Sequence, residues 1–530
     1  MKKRLFLLLL LFPIVSSAQP ANTELSSGLI FEGEPYLAVN PTKPQNIVAA
    51  WMSVKLNSNL VTIETRSSMD GGATWSDTLG LPHMNPAWQS ADVSMAWRSD
   101  GVLFISYIDY LSNSNTEGGV FVVSSTDGGK SFSMPVKAID AAEDTDVSLD
   151  RPWIVVDNSS SSTNGYLYIP TKPAPWHPIP NHTYFTRSTD GGLHWSREEV
   201  LDSTPYLSTE VPAPMGAPTV ASDGTLSIAY PFVFSAQNAG FALAQSHDGG
   251  QSFSRSFIIQ PIEDQKEKDS IKGGFHLIAD PTNPKHLVFA WPDAREGDYD
   301  VFAVTSFDGG SSWSTPVRVN DDLPHNGVVQ DMVWPTFGTD GALAIVWRDR
   351  RNGSSTGYAS ASDTYFATSS DGGTHWSNNV RLSDSTAAYD SVLFKPGNDF
   401  LTAAILRDTL FGAWADIRTG RLKIYYAKAA LLLPDQVVQT GNAGPNATLT
   451  IVPNPAEGNA SVSFQLTSPA MCSLALYDDR GVLIRQILSE ALSPGLHSVH
   501  CPIAGLANGD YFIELQTPGG VSRAKLTIDR

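Results

Sequence analysis

The sequence is poor in cysteine, has fewer basic than acidic residues, and lacks long apolar runs beyond its first residues. Only Cys472 and Cys501 occur among 530 residues, so disulfides and cysteine-bound metals cannot organise most of the chain. Lys and Arg number 35 against 54 Asp and Glu, and this acidic excess disfavours nucleic acid and anionic membrane surfaces as partners. No run after residue 15 is long enough to cross a bilayer, so we predict no transmembrane segment in the mature chain.

Motifs that would indicate a metal site, a bound phosphate or a serine nucleophile are absent as well. The sequence has no EF-hand loop, no His-Glu-x-x-His pair, no cysteine cluster, no G-x-S-x-G elbow and no glycine-rich phosphate loop. We therefore predict no cofactor and assign no metal ligands. The abundant residues are instead 42 Gly and 35 Pro in a 42% hydrophobic composition, which is typical of turn-rich all-β proteins.

The N-terminus has the pattern of a secretory signal peptide. Basic residues 2–4 precede an apolar run over residues 5–15, and the small residues Ser16 and Ala18 follow. This order of basic, apolar and small residues predicts export, with residues 1–18 removed by cleavage.

Six near-identical octapeptides recur along the chain, each reading Ser-x-Asp-Gly-Gly-x-[Ser/Thr/His]-[Trp/Phe]. Their aspartates are Asp70, Asp127, Asp190, Asp248, Asp308 and Asp371. The intervals between them are 57, 63, 58, 60 and 63 residues, a period that suits one four-stranded sheet per repeat. The repeat therefore predicts a β-propeller.

The octapeptide resembles the Asp-box of sialidase-like (BNR repeat) propellers, over about Glu32 to Ala430. The resemblance implies that each box is a hairpin turn between the third and fourth strands of a blade. It also implies that the aspartate caps backbone N–H groups and that the glycines take positive φ. These six aspartates are accordingly expected to be structural.

A second repeat of aromatic residues indicates the number of blades. Seven aromatics each follow a short alternating apolar run, namely Trp51, Tyr107, Tyr168, Tyr230, Trp291, Trp347 and Trp414. We predict seven blades over residues 28–430, with Gly28–Glu34 supplying the outer strand that the last blade lacks. Six blades, the usual count in true sialidases, is the alternative.

The C-terminal residues form a separate region. A linker is predicted over residues 431–446, and residues 447–530 show strand-like apolar spacing typical of a small β-sandwich. This region resembles the C-terminal sorting domain of the type IX secretion system, through Val452–Ala456, Leu476–Asp478 and Leu506–Phe512. The resemblance implies handling by the type IX machinery and a secreted or cell-surface protein. An appended immunoglobulin-like binding module is the alternative.

Candidate functional residues lie in a motif that recurs in the last three blades. It reads Trp-x-Asp-x-Arg and comprises Trp291, Asp293 and Arg295, then Trp347, Asp349 and Arg351, then Trp414, Asp416 and Arg418. Period-two spacing puts the three side chains on one face of a strand, so each Asp can orient its Arg. Three arginines at one end of the channel would bind a carboxylate or sulfate. The alternative is that each pair joins neighbouring blades.

The sialidase resemblance implies three arginines for the sialic acid carboxylate, a Tyr nucleophile assisted by a Glu, and an Asp acid/base. The family's Arg-Ile-Pro signature is absent, and residues 34–38 occupy the corresponding stretch. Arg151 in Arg-Pro-Trp-Ile is the nearest equivalent. The further acidic and basic candidates at the starts of inner strands are Glu34, Asp150, His276, Asp331 and Asp399, with Glu34 and Asp331 the first carboxylates to mutate.

Two loops on the same face carry candidate ligand-binding aromatics. Trp176 lies in a proline-stiffened insertion over residues 171–180, and Tyr358 lies in a Ser- and Gly-rich loop over residues 348–364. Rigid loops on a regular scaffold favour ligand recognition. We predict a glycoside hydrolase of exo-sialidase type acting on extracellular acidic glycans, or alternatively a non-catalytic propeller that binds a glycan or a protein.

Overall fold

The computed structural model places a defined part of the chain. It describes residues 21–26, 31–54, 60–112, 114, 117–142, 148–174, 182–201, 215–235, 238–260, 274–389, 398–431, 449–454, 456, 460–466, 470–477, 483–493, 495–503, 505–517 and 520–528. The predicted signal peptide, most of the predicted linker, and Trp176 lie outside these residues. The chain divides into two compact units, Met1–Leu431 and Leu432–Arg530. Within the described residues, no helix has the length and apolar character needed to cross a membrane.

The described part of the first unit forms seven successive antiparallel sheets, numbered here in chain order. Sheets 1 and 2 contain the strands Glu32–Val39, Ile47–Val54, Val61–Ser68 and Leu79–Gly80, then Gln89–Trp97, Leu103–Tyr110, Gly118–Ser125 and Val136–Asp140. Sheets 3 and 4 contain Leu149–Asp150, Val155–Val156, Leu167–Pro173, Tyr184–Ser188 and Glu199–Val200, then Ala217–Val220, Leu226–Ser235, Asn238–Ser246 and Ser254–Ile259. Sheets 5 and 6 contain His276–Ala279, Leu287–Asp293, Asp300–Ser306 and Val317–Arg318, then Gln330–Phe337, Leu343–Asp349, Asp363–Ser369 and Val380–Arg381. Sheet 7 contains Thr402–Leu406, Thr409–Asp416, Lys423–Ala430 and Thr23–Glu24.

The sheets close into a ring. The first strand of each sheet contacts the first strand of the next, and the first strand of sheet 7 contacts that of sheet 1. The seven aromatics of the second repeat all lie buried in second strands, where alternating apolar residues pack between neighbouring sheets. The seven-bladed propeller remains our interpretation of this ring of seven sheets.

The ring is closed by a strand that the sequence assignment misplaced. Thr23 and Glu24 pair with Tyr426 and Tyr425 as the outer strand of sheet 7. The predicted closing segment, Gly28–Glu34, is wrong for this role, because Glu32 begins the innermost strand of sheet 1 instead. The closing strand has only two residues. It is too short to show the alternation that would distinguish a strand from a loop in the sequence.

Each of the six octapeptides forms the turn between the third and fourth strands of its sheet. In every copy the Ser hydroxyl donates to the Asp carboxylate over 2.7 to 2.9 Å. The same hydroxyl accepts from the N–H of the second glycine over 2.8 or 2.9 Å. Both glycines of each copy have positive φ, a conformation that costs other residues energy. The octapeptide is therefore a hydrogen-bonded turn, as the resemblance implies.

These turns also join neighbouring sheets. In five copies a side chain of the preceding sheet donates to the carbonyl of the first glycine. The donors include Asn46 to Gly128, Arg187 to Gly249, Gln245 to Gly309, His286 to Gly372, and Tyr426 to Gly71. These five octapeptides thereby contribute inter-sheet contacts, which is a structural reason for the recurrence of the motif along the ring.

The second unit contains two sheets that share a core. One contains Thr450–Val452, Ala460–Leu466 and Gly495–Cys501, and the other contains Leu483–Leu492, Ala470–Tyr477, Gly509–Thr517 and Gly520–Ile528. Inward residues of both sheets, among them Phe464 and Leu476, form one buried cluster. Cys472 and Cys501 are both buried in that cluster.

Candidate functional site

Four residues near the starts of inner strands have an unusual backbone conformation. Glu34, Asp92, Arg151 and Met332 have φ values of 52°, 55°, 51° and 54°, in the left-handed region that side chains other than glycine rarely adopt. Three of them lie at irregularities in the pairing of the first and second strands of sheets 1, 2 and 6. Such strain tends to cluster at functional sites, and here it recurs at one end of the channel.

Two residues after most of these positions, a side chain extends across the ring axis. We call Tyr36, Trp153, His276, Trp334 and Phe400 the aromatic layer. Trp153 of sheet 3 lies 5.2 Å from both His276 and Phe400 between ring centroids, and Tyr36 of sheet 1 lies 5.5 Å from Trp334. Because these contacts join sheets that are not neighbours, the aromatic layer fills the channel.

Above the aromatic layer lies a second group, the charged layer, comprising Glu34, Asp92, Asp150, Arg151, Lys172 and Asp399. Arg151 Nη2 of sheet 3 lies 2.7 Å from the Asp399 carboxylate, which precedes the first strand of sheet 7. Lys172 Nζ pairs with Asp150, its cross-strand neighbour, and both are buried. The Arg151–Asp399 pair therefore spans the ring, and the charged layer lies on the axis.

The charged layer is at the opposite end of the sheets from the octapeptide turns. In an antiparallel sheet the start of the first strand lies beside the end of the second, and the turn after the third strand lies at the other end. Lys172 is the last but one residue of the second strand Leu167–Pro173, and Asp150 lies in the two-residue first strand Leu149–Asp150. The charged layer is thus on the face that carries the loops between second and third strands.

The carboxyl groups of Glu34 and Asp92 lie close enough to interact within the charged layer. Burial and the nearby Asp399 carboxylate raise the pKa of Glu34 to about 8, although Arg151 opposes this shift. Burial, Asp150 and Glu34 hold the pKa of Asp92 well above its usual range. Burial and the repulsion between two adjacent carboxylates both favour a proton on this pair. At neutral pH the pair is therefore an acid.

Two titratable groups near this pair, His276 and Tyr110, are uncharged at neutral pH. Burial lowers the pKa of His276 to about 3, with Arg151 adding to the shift, so its imidazole is neutral. Burial and the carboxyls of Asp92, Asp150 and Glu34 raise the pKa of Tyr110 to about 12. A phenol with a raised pKa is a poor nucleophile at neutral pH, so the carboxyls are the groups in this layer suited to proton transfer.

Asp331 lies in a separate buried cluster with Arg348, Arg350 and Tyr358. Arg348 donates to both Asp331 oxygens, over 2.8 and 2.6 Å, and to the Tyr358 hydroxyl over 2.9 Å. The Arg350 guanidinium carbon lies 4.2 Å from the Tyr358 ring centroid and Arg350 Nη1 lies 3.1 Å from Asp331. Tyr358 is 2% exposed. The cluster holds the loop after residue 349 against the sheet, and the predicted ligand-binding Tyr358 is packed inside it.

The three Trp-x-Asp-x-Arg motifs form three separate staples. In each, the Trp indole donates to the Asp, over 2.8, 2.8 and 3.1 Å, and the Arg pairs with the same Asp. Arg351 also binds Asp321 of the preceding connection, and Arg418 also binds Asp384. The motif side chains share one face, as period two predicts, but each arginine is paired locally, and no described contact joins one arginine to another.

A Ser-His-Asp group in sheet 2 does not have relay geometry. Ser90 Oγ and the Asp109 carboxylate both contact the same His83 nitrogen, Nδ1, over 3.0 and 2.8 Å. A nucleophile relay needs the serine and the carboxylate on opposite ring nitrogens. The group therefore fixes the loop before sheet 2.

Sequence reasoning located part of the charged layer and missed the rest. Glu34 and Arg151 were candidate catalytic residues, and Asp150, Asp399 and His276 were expected near inner-strand starts. Asp92 was missed because Ala-Asp-Val lacks the aromatic that follows the other positions. A charged residue two positions before an aromatic marks Glu34 and Arg151. This pattern could not have found Asp92, because Ser94 stands two positions after it. Among described residues, no group of three or more His, Cys, Asp or Glu side chains is arranged to hold a metal ion.

The all-β ring and its turns define the class of protein. The first unit is an all-β ring of antiparallel sheets, and residues 450–529 match the family of secretion system C-terminal sorting domains. No curated protein sequence matches the chain.

Several solved structures resemble the chain at low identity. A Hadza microbial sialidase is 13% identical over 76% of this chain and 66% of that chain, with a TM-score of 0.41. NanB sialidase from Streptococcus pneumoniae is 13% identical over 79% and 70%, with a TM-score of 0.40. An α-L-arabinofuranosidase from Fusarium graminearum is 11% identical over 78% and 98%, with a TM-score of 0.42.

Proposed function

We propose that the propeller is a glycoside hydrolase acting on extracellular glycans, with its reaction at the charged layer. The observation that carries the proposal is the pair of interacting carboxyls, Glu34 and Asp92, beside the ion-paired Asp399 carboxylate. Glycoside hydrolysis needs a carboxylic acid to protonate the leaving oxygen and a carboxylate to assist from the other side. Groups whose environments favour opposite protonation states at one site fit those two roles.

The roles follow from exposure and partners. Asp92 is partly exposed, so its proton is the one that a bound sugar can reach, while buried Glu34 shares that proton from below. Asp399 has 22% of its side chain exposed and stays paired with Arg151. We assign Asp92 with Glu34 as the general acid and Asp399 as the carboxylate that activates water or stabilises positive charge.

The remaining predicted residues have no assigned part in the reaction in this proposal. The prediction of an acidic sugar relied on convergent Arg295, Arg351 and Arg418, and each of these is engaged by its own aspartate. Asp349 is likewise engaged by Arg351 and Trp347. The contribution of Trp176 to ligand binding stays a prediction.

A hydrolysis assay on the mature full-length chain tests the proposal. Release of reducing sugar would be measured from a panel of neutral, uronic-acid and sialylated glycans, with the variants Asp92→Asn, Glu34→Gln and Asp399→Asn. Asp77→Asn, an exposed carboxylate in the first octapeptide hairpin, is the matched control. Loss of release in the three variants but not in the control supports the proposal. Sugar binding without release from any glycan would favour the non-catalytic binding alternative.

Export is the second part of the proposal. The family match of residues 450–529 supports handling by the type IX machinery, and a secreted or cell-surface destination follows from it. A chain truncated after residue 431 should then accumulate inside a producing cell that carries this machinery. Equal release of the truncated and full-length chains would contradict the role of the tail.

A further inference from the structure

We propose that the charged layer accepts an uncharged sugar residue and discriminates against acidic sugars. This inference rests on the proposed function only in taking the charged layer as the substrate site. It concerns which sugar is bound there, whatever reaction follows.

The argument begins with the balance of charge. The charged layer contains four carboxyl groups and two cations, and both cations already have carboxylate partners. Arg151 is paired with Asp399 over 2.7 Å, and Lys172 is paired with Asp150 and is 2% exposed. Among the described residues of this layer, neither cation lacks a carboxylate partner, so an incoming sugar carboxylate has to compete for one of them.

Competition for Arg151 is unfavourable because Asp399 is part of the ring. The chain already holds Asp399 next to the guanidinium, so its ion pair costs no translational freedom. A sugar carboxylate must lose translational freedom when it binds. The displaced Asp399 would also stay near the new anion, and like charges at close range repel strongly in a partly buried site. An acidic sugar therefore gains little from the one accessible arginine.

A neutral sugar fits the same groups without competition. Each sugar hydroxyl is both a donor and an acceptor, so it can donate to the Asp399 carboxylate and accept from the Arg151 N–H groups. One oxygen of Glu34, Oε2, is buried without a hydrogen-bond partner in a residue that is 2% exposed. A buried polar atom of this kind costs energy until a partner arrives. A hydroxyl group or a water molecule that it orders would satisfy it.

The decisive experiment uses sugars that differ only in charge. Binding of methyl glucoside and methyl glucuronide, and of methyl galactoside and methyl galacturonide, would be measured by saturation-transfer NMR and calorimetry on the mature full-length chain. We expect at least one neutral sugar to bind about tenfold or more tightly than its acidic counterpart. Equal binding within a pair, tighter binding of the acidic sugar, or binding of none of the four would overturn the inference.

The variant Asp399→Asn sharpens this test. It removes the competing carboxylate and leaves Arg151 available, so the preference for the neutral sugar should fall by about tenfold or reverse. Asp77→Asn should leave the preference unchanged. If Asp399→Asn fails to fold, as seen by tryptophan fluorescence, Arg151→Gln replaces it. That variant should retain the neutral preference because Asp399 then repels the acidic sugar unopposed, and loss of the preference would overturn the inference.

Failure of this inference and failure of the proposed function give different results. Hydrolysis of acidic glycans that depends on Asp92 would overturn the neutral preference and leave the hydrolase intact. Binding of a neutral sugar with no hydrolysis of any glycan would refute the hydrolase and leave the preference intact.

Discussion

The pKa values of carboxyl groups at the two ends of the propeller are shifted in opposite directions. At the turn face, hydrogen bonds from Thr74 lower the pKa of Asp70 to about 2, and those from Ser312 lower that of Asp308 to about 2. At the channel face, burial raises the pKa of Glu34 to about 8. The turn face supplies fixed donors to exposed carboxylates, whereas the channel face supplies burial and like charge. The first arrangement stabilises a turn, and the second stores a proton.

The largest expected effect is a difference in kcat/KM between a variant of the channel face and a variant of the turn face. Asp92→Asn removes the proposed acid, and loss of a general acid lowers kcat/KM by about 10²–10⁴-fold. Asp308→Asn should leave kcat/KM within about twofold, since Asp308 only caps a turn. Steady-state kinetics on the best glycan of the panel would measure both. A comparable loss in both variants would show that the two faces are not functionally distinct.

The turn face can be tested by its paired glycines. Gly309 and Gly310 both have positive φ, but a Cβ on Gly310 would lie 2.6 Å from Leu243 Cδ2, whereas one on Gly309 meets no atom within 4 Å. Gly309→Ala should lower the free energy of unfolding by about 1–2 kcal/mol through its φ alone. Gly310→Ala should cost about 1–3 kcal/mol more through overpacking. Tryptophan fluorescence during denaturation reports this unit, because all 13 Trp residues precede residue 431. Equal losses of unfolding free energy in the two variants would refute the tight packing of Gly310 against Leu243 of the preceding sheet.

The channel face predicts a pH dependence of stability. Glu34 has a raised pKa in the folded chain, so between its ordinary value of 4.5 and about 8 the folded chain holds a proton that the unfolded chain has lost. The free energy of unfolding should therefore fall with rising pH across this window, by about 1.4 kcal/mol per pH unit from this group. Glu34→Gln should remove that component. Asp308→Asn should leave the slope in this window unchanged, because the lowered pKa of Asp308 affects stability only in more acidic solution.

The smallest effect concerns the arginine staples. Arg351 pairs with Asp349 and Asp321 and lies over the Tyr365 ring, so Arg351→Gln should lower the free energy of unfolding by about 1–2 kcal/mol. KM for the best glycan should stay within about twofold. A large rise in KM without loss of stability would show that Arg351 binds the ligand. The site would then include the loop after residue 349.

Sequence reasoning succeeded where the relevant contacts are local. The octapeptide turn depends on residues within eight positions, so its hydrogen bonds could be anticipated from the Asp-Gly-Gly pattern. The same locality explains the incomplete reading of the Trp-x-Asp-x-Arg motif. Period two correctly placed Asp and Arg on one face, but it could not show that each Arg would be neutralised within its own motif. Asp92 was missed for the opposite reason, because its partner Glu34 is 58 residues away.

By itself, the sequence determined the all-β class, the six turns, the seven buried aromatics of the second strands and the sorting domain at the C-terminus. These features follow from short-range patterns of turn residues and alternating apolar residues. The tertiary structure alone decided which strand closes the ring, that the channel is filled by aromatics, and that Glu34 meets Asp92 while Arg151 meets Asp399. These contacts join different sheets across a common axis. Their distances depend on how seven sheets close into a ring, which no local spacing encodes.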